Sequence, residues 1–387
     1  MPWRETKVEK QRKLFIEAYL GEEFNFSDLC RQFDISRKCG YKWVRRYEES
    51  GLEGLVNQSK APYHQPNKTE SHIIDELLRI KYERPRWGPK KVLGHLRNNR
   101  SEIKWPCLTT VENIFNDYGL VKRRKLRRRL AERIDHLGSC NESNDIWCMD
   151  FKGWGLTKDN EKIDPFTVMD AYSRFLLCCQ KLPANNRDHT WAVFDKLFRE
   201  FGLPLRIRSD NGPPFASLGA GRLSRLSIKL LKAGVIPEWI DPGEPQQNGR
   251  HERMHLTLEQ EGFDLSQNLS DQLKKLEEFQ GYYNFIRPHE ALGQNTPGSI
   301  YQPSSRYWDG KLRSPEYPTE YAIGKVKTCG KMTWKSREIY VGRVFSGEPI
   351  GMKQEEQFLK AYYGPIYLGI VEENRVEFKR MPGRIKI

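Results

Sequence analysis

Lys122-Arg123-Arg124-Lys125-Leu126-Arg127-Arg128-Arg129 puts seven cations into eight residues, and nothing so charged can sit inside a core. The run therefore divides the chain. Before it, apolar residues recur at helical spacing; from about Asn144 they fall into short strand-like runs. Residues 1–140 hold 30 Lys and Arg against 19 Asp and Glu, or +11, and the remaining 35 and 32 leave residues 141–387 at +3. A first third this basic suits a polyanionic partner, nucleic acid before membrane. Lying between two folded regions, the run reads as a phosphate-following arm with Arg123, Arg124, Arg127 and Arg128 as contacts. Nuclear localisation is the competing reading, and nothing else in the chain supports it.

At 387 residues the chain is too long for one core. No run of apolar residues is long enough to span a bilayer, and the charged start, Met1 to Lys7, does not read as a secretory signal. The eight cysteines form no C-x-x-C pair, so a zinc site and a disulfide framework are not expected, and a reducing cytoplasm is.

Residues 1–56 read as a helix-turn-helix unit. Leu14, Phe15 and Ala18 mark a first helix that ends at Gly21. Ser27 and Ser36 are candidate caps for the two that follow. The last helix splits cleanly: Trp43, Val44 and Tyr47 face inward, while Arg37, Lys38, Tyr41, Lys42 and Arg45 line the outside. A plain three-helix bundle with a solvated basic face is the alternative. Residues 57–68 are a linker by composition. Residues 69–120 form a second helical unit, with Thr109-Thr110-Val111-Glu112 as a capping box for a helix burying Val111, Ile114, Phe115 and Tyr118. Its outer face is polar rather than basic. After the arm and linker at 121–143, residues 144–303 alternate strands and helices in a mixed α/β pattern, starting with Ile146–Phe151 and closing with a helix over 270–285 that carries Leu273, Leu276, Phe279 and Tyr283. Residues 304–387 read as a small all-β module. The expected fold is thus multidomain: all-α units, an α/β core, then a β module.

Three carboxylates occupy suggestive places: Asp150 in the first strand of the core, Asp210 just past a strand end, and Glu252 one turn into a helix. Separations of 59 and 41 intervening residues do not prevent convergence in space. Three converging carboxylates suit a pair of Mg2+ ions, which take oxygen ligands and can serve an in-line phosphoryl displacement. Asp145, Asp164, Asp170, Glu259 and Glu261 are rivals by neighbourhood, and a turn cap is the ordinary role of any one strand-end Asp.

The local sequences narrow this. Trp147-Cys148-Met149-Asp150-Phe151, Asp170-Ala171-Tyr172-Ser173-Arg174, Ser209-Asp210-Asn211-Gly212-Pro213-Pro214-Phe215 and the stretch from Pro245 to His255 follow one another in the order of a retroviral-integrase-type catalytic core. Together they resemble bacterial insertion-sequence transposases of the DDE class, and Tyr283 to Leu292 matches the signature after that core. The resemblance covers about residues 10–305. It implies a ribonuclease H-like core and a metal-binding catalytic triad of Asp150, Asp210 and Glu252. It further implies Mg2+, with Mn2+ as a substitute, at two ions per site. The implied activity is cleavage of DNA strands by water, followed by strand transfer from the freed 3′-hydroxyl. The implied partners are double-stranded DNA at the element's terminal inverted repeats and at the target, together with a homodimer or larger assembly on DNA. The expected location is cytoplasmic, at the nucleoid, with no membrane partner.

Two departures stand out. The interval from Asp210 to Glu252 is longer than in retroviral integrases, with the excess expected in 216–228, and helix-turn-helix units replace a zinc module. Asn211 and Gly212 are expected to shape the Asp210 loop, with Asn211 a possible DNA contact. Gln247 and Asn248 either contact DNA or cap the following helix, and Arg250 and Arg253 suit phosphate. His255 is expected in solvent, Arg287 and His289 at a helix end, and Trp147, Tyr172 and Phe215 in the core. The alternative to a working transposase is a catalytically inactive, domesticated relative that regulates by binding DNA; a free-standing nuclease would leave the helical units without a role.

Overall fold

The computed structural model describes residues 8–22, 24–57, 68–121, 137–212, 214–217, 219–241, 244–355 and 358–371. The arm residues Arg123, Arg124, Arg127 and Arg128 lie outside them. The chain divides into two compact units, 1–69 and 70–387.

The first unit packs α1 (Val8–Leu20), α2 (Phe26–Gln32) and α3 (Arg37–Ser50) around Phe15, Ile16, Leu29, Cys30, Trp43 and Val44. Ser36 caps α3, its hydroxyl accepting from the Cys39 N–H. The cap of α2 is Asn25, whose side chain takes the Ser27 N–H; Ser27 itself sits one residue inside the helix. Asp34 adopts a left-handed φ of 52° and turns the chain between α2 and α3. A Cβ on Gly40 would meet Cys30 Sγ at 2.8 Å and Phe26 at 3.0 Å, so glycine lets α3 cross α2 closely. Leu14 lies on the exposed side of α1.

The second unit begins with α4 (Ser71–Glu83), α5 (Pro89–Asn99) and α6 (Leu108–Asp117), which close over Leu77, Trp87, Val92, Leu96, Val111 and Phe115. The capping box is not formed: α6 starts at Leu108 after Cys107, with no side-chain cap. Tyr118 follows the helix and is exposed.

The core sheet comprises β1 (Ile146–Phe151), β4 (Pro165–Asp170), β5 (Leu176–Lys181), β6 (Arg206–Ser209) and β7 (Ile236–Trp239), with a short hairpin of β2 (Gly155–Leu156) and β3 (Lys162–Ile163) between β1 and β4. Strand order is β5-β4-β1-β6-β7, antiparallel from β5 to β1 and parallel from β1 to β7. β1 is continuously apolar up to Asp150 because both of its faces are covered. On one face Trp147, Met149, Phe166 and Val168 pack on α7 (Arg187–Phe201) and α8 (Arg225–Lys232). On the other, Met169 and Leu176 pack on α9 (Gly249–Glu261) and α10 (Leu269–Phe285). Leu276, Phe279 and Tyr283 are buried as the periodicity requires, whereas Leu273 is exposed. Trp87 Nε1 donates to the Tyr282 hydroxyl at 2.8 Å, and Lys90 pairs with Glu290 at 2.7 Å, so α4–α6 dock on α10 and the segment after it.

The β module holds β8 (Ala322–Lys325), β9 (Lys331–Trp334), β10 (Arg337–Tyr340), β11 (Pro349–Glu355), β12 (Phe358–Tyr363) and β13 (Ile366–Val371). Its core of Met332, Phe345, Ile350 and Tyr363 is continuous with Ala216, Leu223, Ile228 and Trp239 of the α/β core. Gly221, at φ 61°, lies so close to Leu368 that a Cβ would stand 2.7 Å away. The extra residues between Asp210 and α9 thus form the seat of the β module.

Candidate active site

Strand register brings the two aspartates together. β1 runs parallel to β6 with Cys148 opposite Arg208. Asp150 lies two residues further along β1, and Asp210 directly follows the end of β6, close enough for its charge to act on Asp150. On the other side of β1, Asp150 pairs with Thr167 of β4. Side chains alternate along a strand, so with Trp147 and Met149 packed on α7, Asp150 faces α9. Thr167 and Asp150 therefore lie side by side on the sheet beneath α9, with Asp210 just past the end of the neighbouring β6.

That helix supplies two imidazoles. Thr167 Oγ1 lies 2.8 Å from His251 Nε2, 2.8 Å from His255 Nε2 and 3.0 Å from the Asp150 carbonyl oxygen. Hydrogen counting fixes the roles. The carbonyl can only accept, so the hydroxyl proton goes to it, and both rings then donate from Nε2 to the hydroxyl's lone pairs. Each ring is left with a bare Nδ1. That of His251 is buried without a partner; that of His255 stands 4.0 Å from Asp150 Oδ2. Burial holds His251 well below the ordinary imidazole range, and burial followed by the Lys152 charge lowers His255 to about 4. Both are neutral at pH 7, and the His255–Asp150 approach is not an ion pair.

Asp150 is correspondingly uneasy. Burial, then the charge of Asp210, then those of Asp164 and Glu252, push its pKa up to about 7 against the N–H of Phe151, which favours the charged form. Phe151 donates at 2.8 Å and Gly212 N–H donates to Asp210 Oδ1 at 3.2 Å. Two oxygen donors whose mutual charge is unfavourable fit a hard divalent cation in kind. Glu252 sits on the exposed side of the first turn of α9. Among the described residues no three acidic, imidazole or thiol groups stand close enough to ligate one ion.

The remaining expected residues divide clearly. Asn211 shapes its loop, donating to the Ile240 carbonyl at 2.7 Å and accepting from Arg222. Gln247 bonds both ways with Asp241, and Asn248 is buried with Oδ1 lacking a partner. Arg250 is exposed and donates to the Ala171 carbonyl, as does the half-buried Arg174; Arg253 is exposed. Arg287 is buried on Glu261, and His289 is buried against Tyr283. Trp147 and Phe215 are core, but Tyr172 is 41% exposed because the turn after β4 carries it off the sheet. His255, expected in solvent, is 9% exposed because its helical face is the one that meets β4. Nothing in the sequence marks Thr167, and for His251 the i, i+4 spacing with His255 is the available signal. In the first unit Arg37, Lys38, Lys42 and Arg45 are all exposed on α3, with Arg45 paired to Glu49 at 2.7 Å.

Comparison with known proteins places these elements. Family models described as an integrase core domain match residues 141–245 and 233–297, a helix-turn-helix domain matches 11–63, and a homeodomain-like domain matches 39–115. The chain is 28% identical over 182 residues to the insertion element IS476 uncharacterized 39.2 kDa protein of Xanthomonas euvesicatoria, covering 46% of this chain and 50% of that one. It therefore spans about half the length of that relative. It is 22% identical over 350 residues to the transposase for transposon Tn552 of Staphylococcus aureus, covering 81% and 69%. Among solved structures, the HTLV-2 integrase catalytic core domain in complex with magnesium aligns at a TM-score of 0.32 and 17% identity, over 42% of this chain and all of that one. No helix among the described residues is long and apolar enough to cross a membrane.

Proposed function

We propose that the chain, with its matches to integrase-core and helix-turn-helix models and its likeness to insertion-element and transposase proteins, is an insertion-element transposase of the DDE class that binds the ends of its element, cuts a DNA strand there and joins the freed end to a target. The observation that carries this reading is the approach of Asp150 in β1 to Asp210, which directly follows the parallel neighbour β6, with the charges of Asp210 and of Glu252 on α9 both acting on Asp150. Asp150, Asp210 and Glu252 would hold divalent ions, Mg2+ or Mn2+, which supply charge neutralisation at the phosphate and an activated oxygen nucleophile.

The chain's own groups do the positioning. Asp150 is held by its backbone and by the Phe151 N–H, and Asp210 by a loop pinned through Asn211 and Arg222. In cleavage, a water oxygen bonds to phosphorus as the bond to the 3′-oxygen breaks, and the departing oxygen takes up a proton. In joining, that 3′-hydroxyl loses its proton and bonds to a target phosphorus as the target's own 3′-oxygen departs in line and takes up a proton. Exposed Arg37, Lys38, Lys42 and Arg45 on α3 suit base edges and phosphates of the element end. Arg250 and Arg253 suit phosphates beside the cut. Two ends have to be held at once, so a homodimer or larger assembly on DNA belongs to this reading.

The test is a labelled duplex bearing the terminal repeat, incubated with protein and Mg2+ or Mn2+. Nicking at the repeat boundary in wild type, absent in Asp150→Asn with end binding retained, supports the reading. Tight specific binding without cleavage in either metal favours the inactive regulator.

A further inference from the structure

The hairpin of β2 and β3 leaves β1 immediately after Asp150. Gly153, at φ 98°, turns the chain, a conformation glycine takes without strain. Opposite residues of an antiparallel pair share a face. Gly155 and Ile163 pair on the inner one, where Ile163 is fully buried and a Cβ on Gly155 would stand 2.7 Å from Leu265. The tip is tied down as well. Lys158 N–H donates to the Gln267 carbonyl at 2.9 Å, and Asp159 takes the Leu269 N–H at 3.1 Å. This hairpin is a fixed element.

Its outer face is unusual. Leu156 pairs with Lys162 there, and Trp154 precedes them on the same side. Trp154 is 64% exposed, the only exposed tryptophan among the described residues, and Leu156 is 47% exposed. Lys162 Nζ sits 5.0 Å above the Trp154 ring. A rigid apolar platform four residues from Asp150 calls for an occupant, and the cation at the ring selects an anionic one with a flat apolar part. A nucleotide has both: a base to stack on the indole and a phosphate for the lysine.

We propose that Trp154 stacks on an unpaired nucleobase beside the cut phosphate, with Lys162 on the adjoining phosphate, and so holds the DNA end open at the active site. The proposal rests on the strand-cleavage reading above. Opening a terminal pair is unfavourable, and stacking one base on an aromatic ring offsets it.

The experiment places 5-iododeoxyuridine at successive positions across the repeat boundary of a duplex bound to the full chain, and maps the photocrosslinked peptide. A crosslink at Trp154 from a position next to the cut is expected, retained in Trp154→Phe and lost in Trp154→Ala. Cleavage of the paired duplex by Trp154→Ala should fall about tenfold, and a mismatched, already open end should restore most of it. Melting temperature should not move, because the ring is exposed. Crosslinks that map elsewhere on a bound end, or a defect equal on paired and open ends, overturn the stacking role. A wild-type protein that binds the end and crosslinks at Trp154 yet never cuts overturns the cleavage reading instead.

Discussion

Replacing Asp150 with asparagine should stabilise the folded protein at pH 8 while ending catalysis. The carboxyl titrates at about 7 in the fold against an ordinary 3.8, with burial the largest cause and Asp210 the next. For an acid raised in this way, the unfolded chain ionises first. The penalty is absent below pH 3.8, grows as pH rises towards 7 and is constant above it. The gap corresponds to about 4 kcal/mol. Since the Asp150 side chain is 28% exposed, solvent screening brings this to about 2 kcal/mol. Asparagine keeps the shape, still accepts from Phe151, and turns an amide N–H towards the bare Nδ1 of His255. Thermal melts of wild type and Asp150→Asn in EDTA at pH 4, 6 and 8 should show a gain of roughly 4 °C at pH 8, shrinking towards zero at pH 4. A variant less stable than wild type at pH 8, or a gain independent of pH, would refute the charge-strain argument.

Three further outcomes follow from the same geometry. Thr167→Val strands two imidazole N–H groups and a carbonyl, and urea unfolding should register a loss of about 2–3 kcal/mol; long-range 15N–1H spectra of wild type should show both rings protonated at Nε2, and protonation at Nδ1 would break the hydrogen count. Glu252→Gln alters an exposed side chain, so cleavage should be lost with stability unchanged to within about 0.5 kcal/mol, whereas Asp150→Asn loses cleavage with a gain in stability. Replacing Lys42 and Arg45 with alanine should weaken binding to the terminal repeat at least about tenfold and flatten its salt dependence by roughly two contacts; unchanged affinity would remove α3 from the recognition surface.

What the sequence made legible follows the range of the forces involved. The apolar run ending at Asp150 announced a strand, and Ser36 announced a helix start, because both signals are local. The acids were identifiable through the segments around them. Placement relative to another element was harder. Helical spacing puts His251 and His255 on one face of α9, but only the sheet register says that this face meets Thr167. A threonine within a strand carries no mark of its own. Ser27 was displaced as a cap by Asn25, two residues earlier and equally able to accept an N–H. Tyr172 and Tyr118 lie just beyond an element's end, where periodicity stops predicting direction. The extra residues after Asp210 were noticed as a length difference, and their purpose emerged only from Gly221 meeting Leu368 in the β module.

Asp150, Asp210 and Glu252 are expected to act as one site. A labelled terminal duplex with a free 3′-hydroxyl, mixed with supercoiled target DNA and Mg2+ or Mn2+, reads this through joined product in wild type, Asp150→Asn, Asp210→Asn and Glu252→Gln. Joining by wild type alone, with all four proteins binding the end equally, is the predicted result. Joining that survives in any of the three variants would contradict the shared role of Asp150, Asp210 and Glu252.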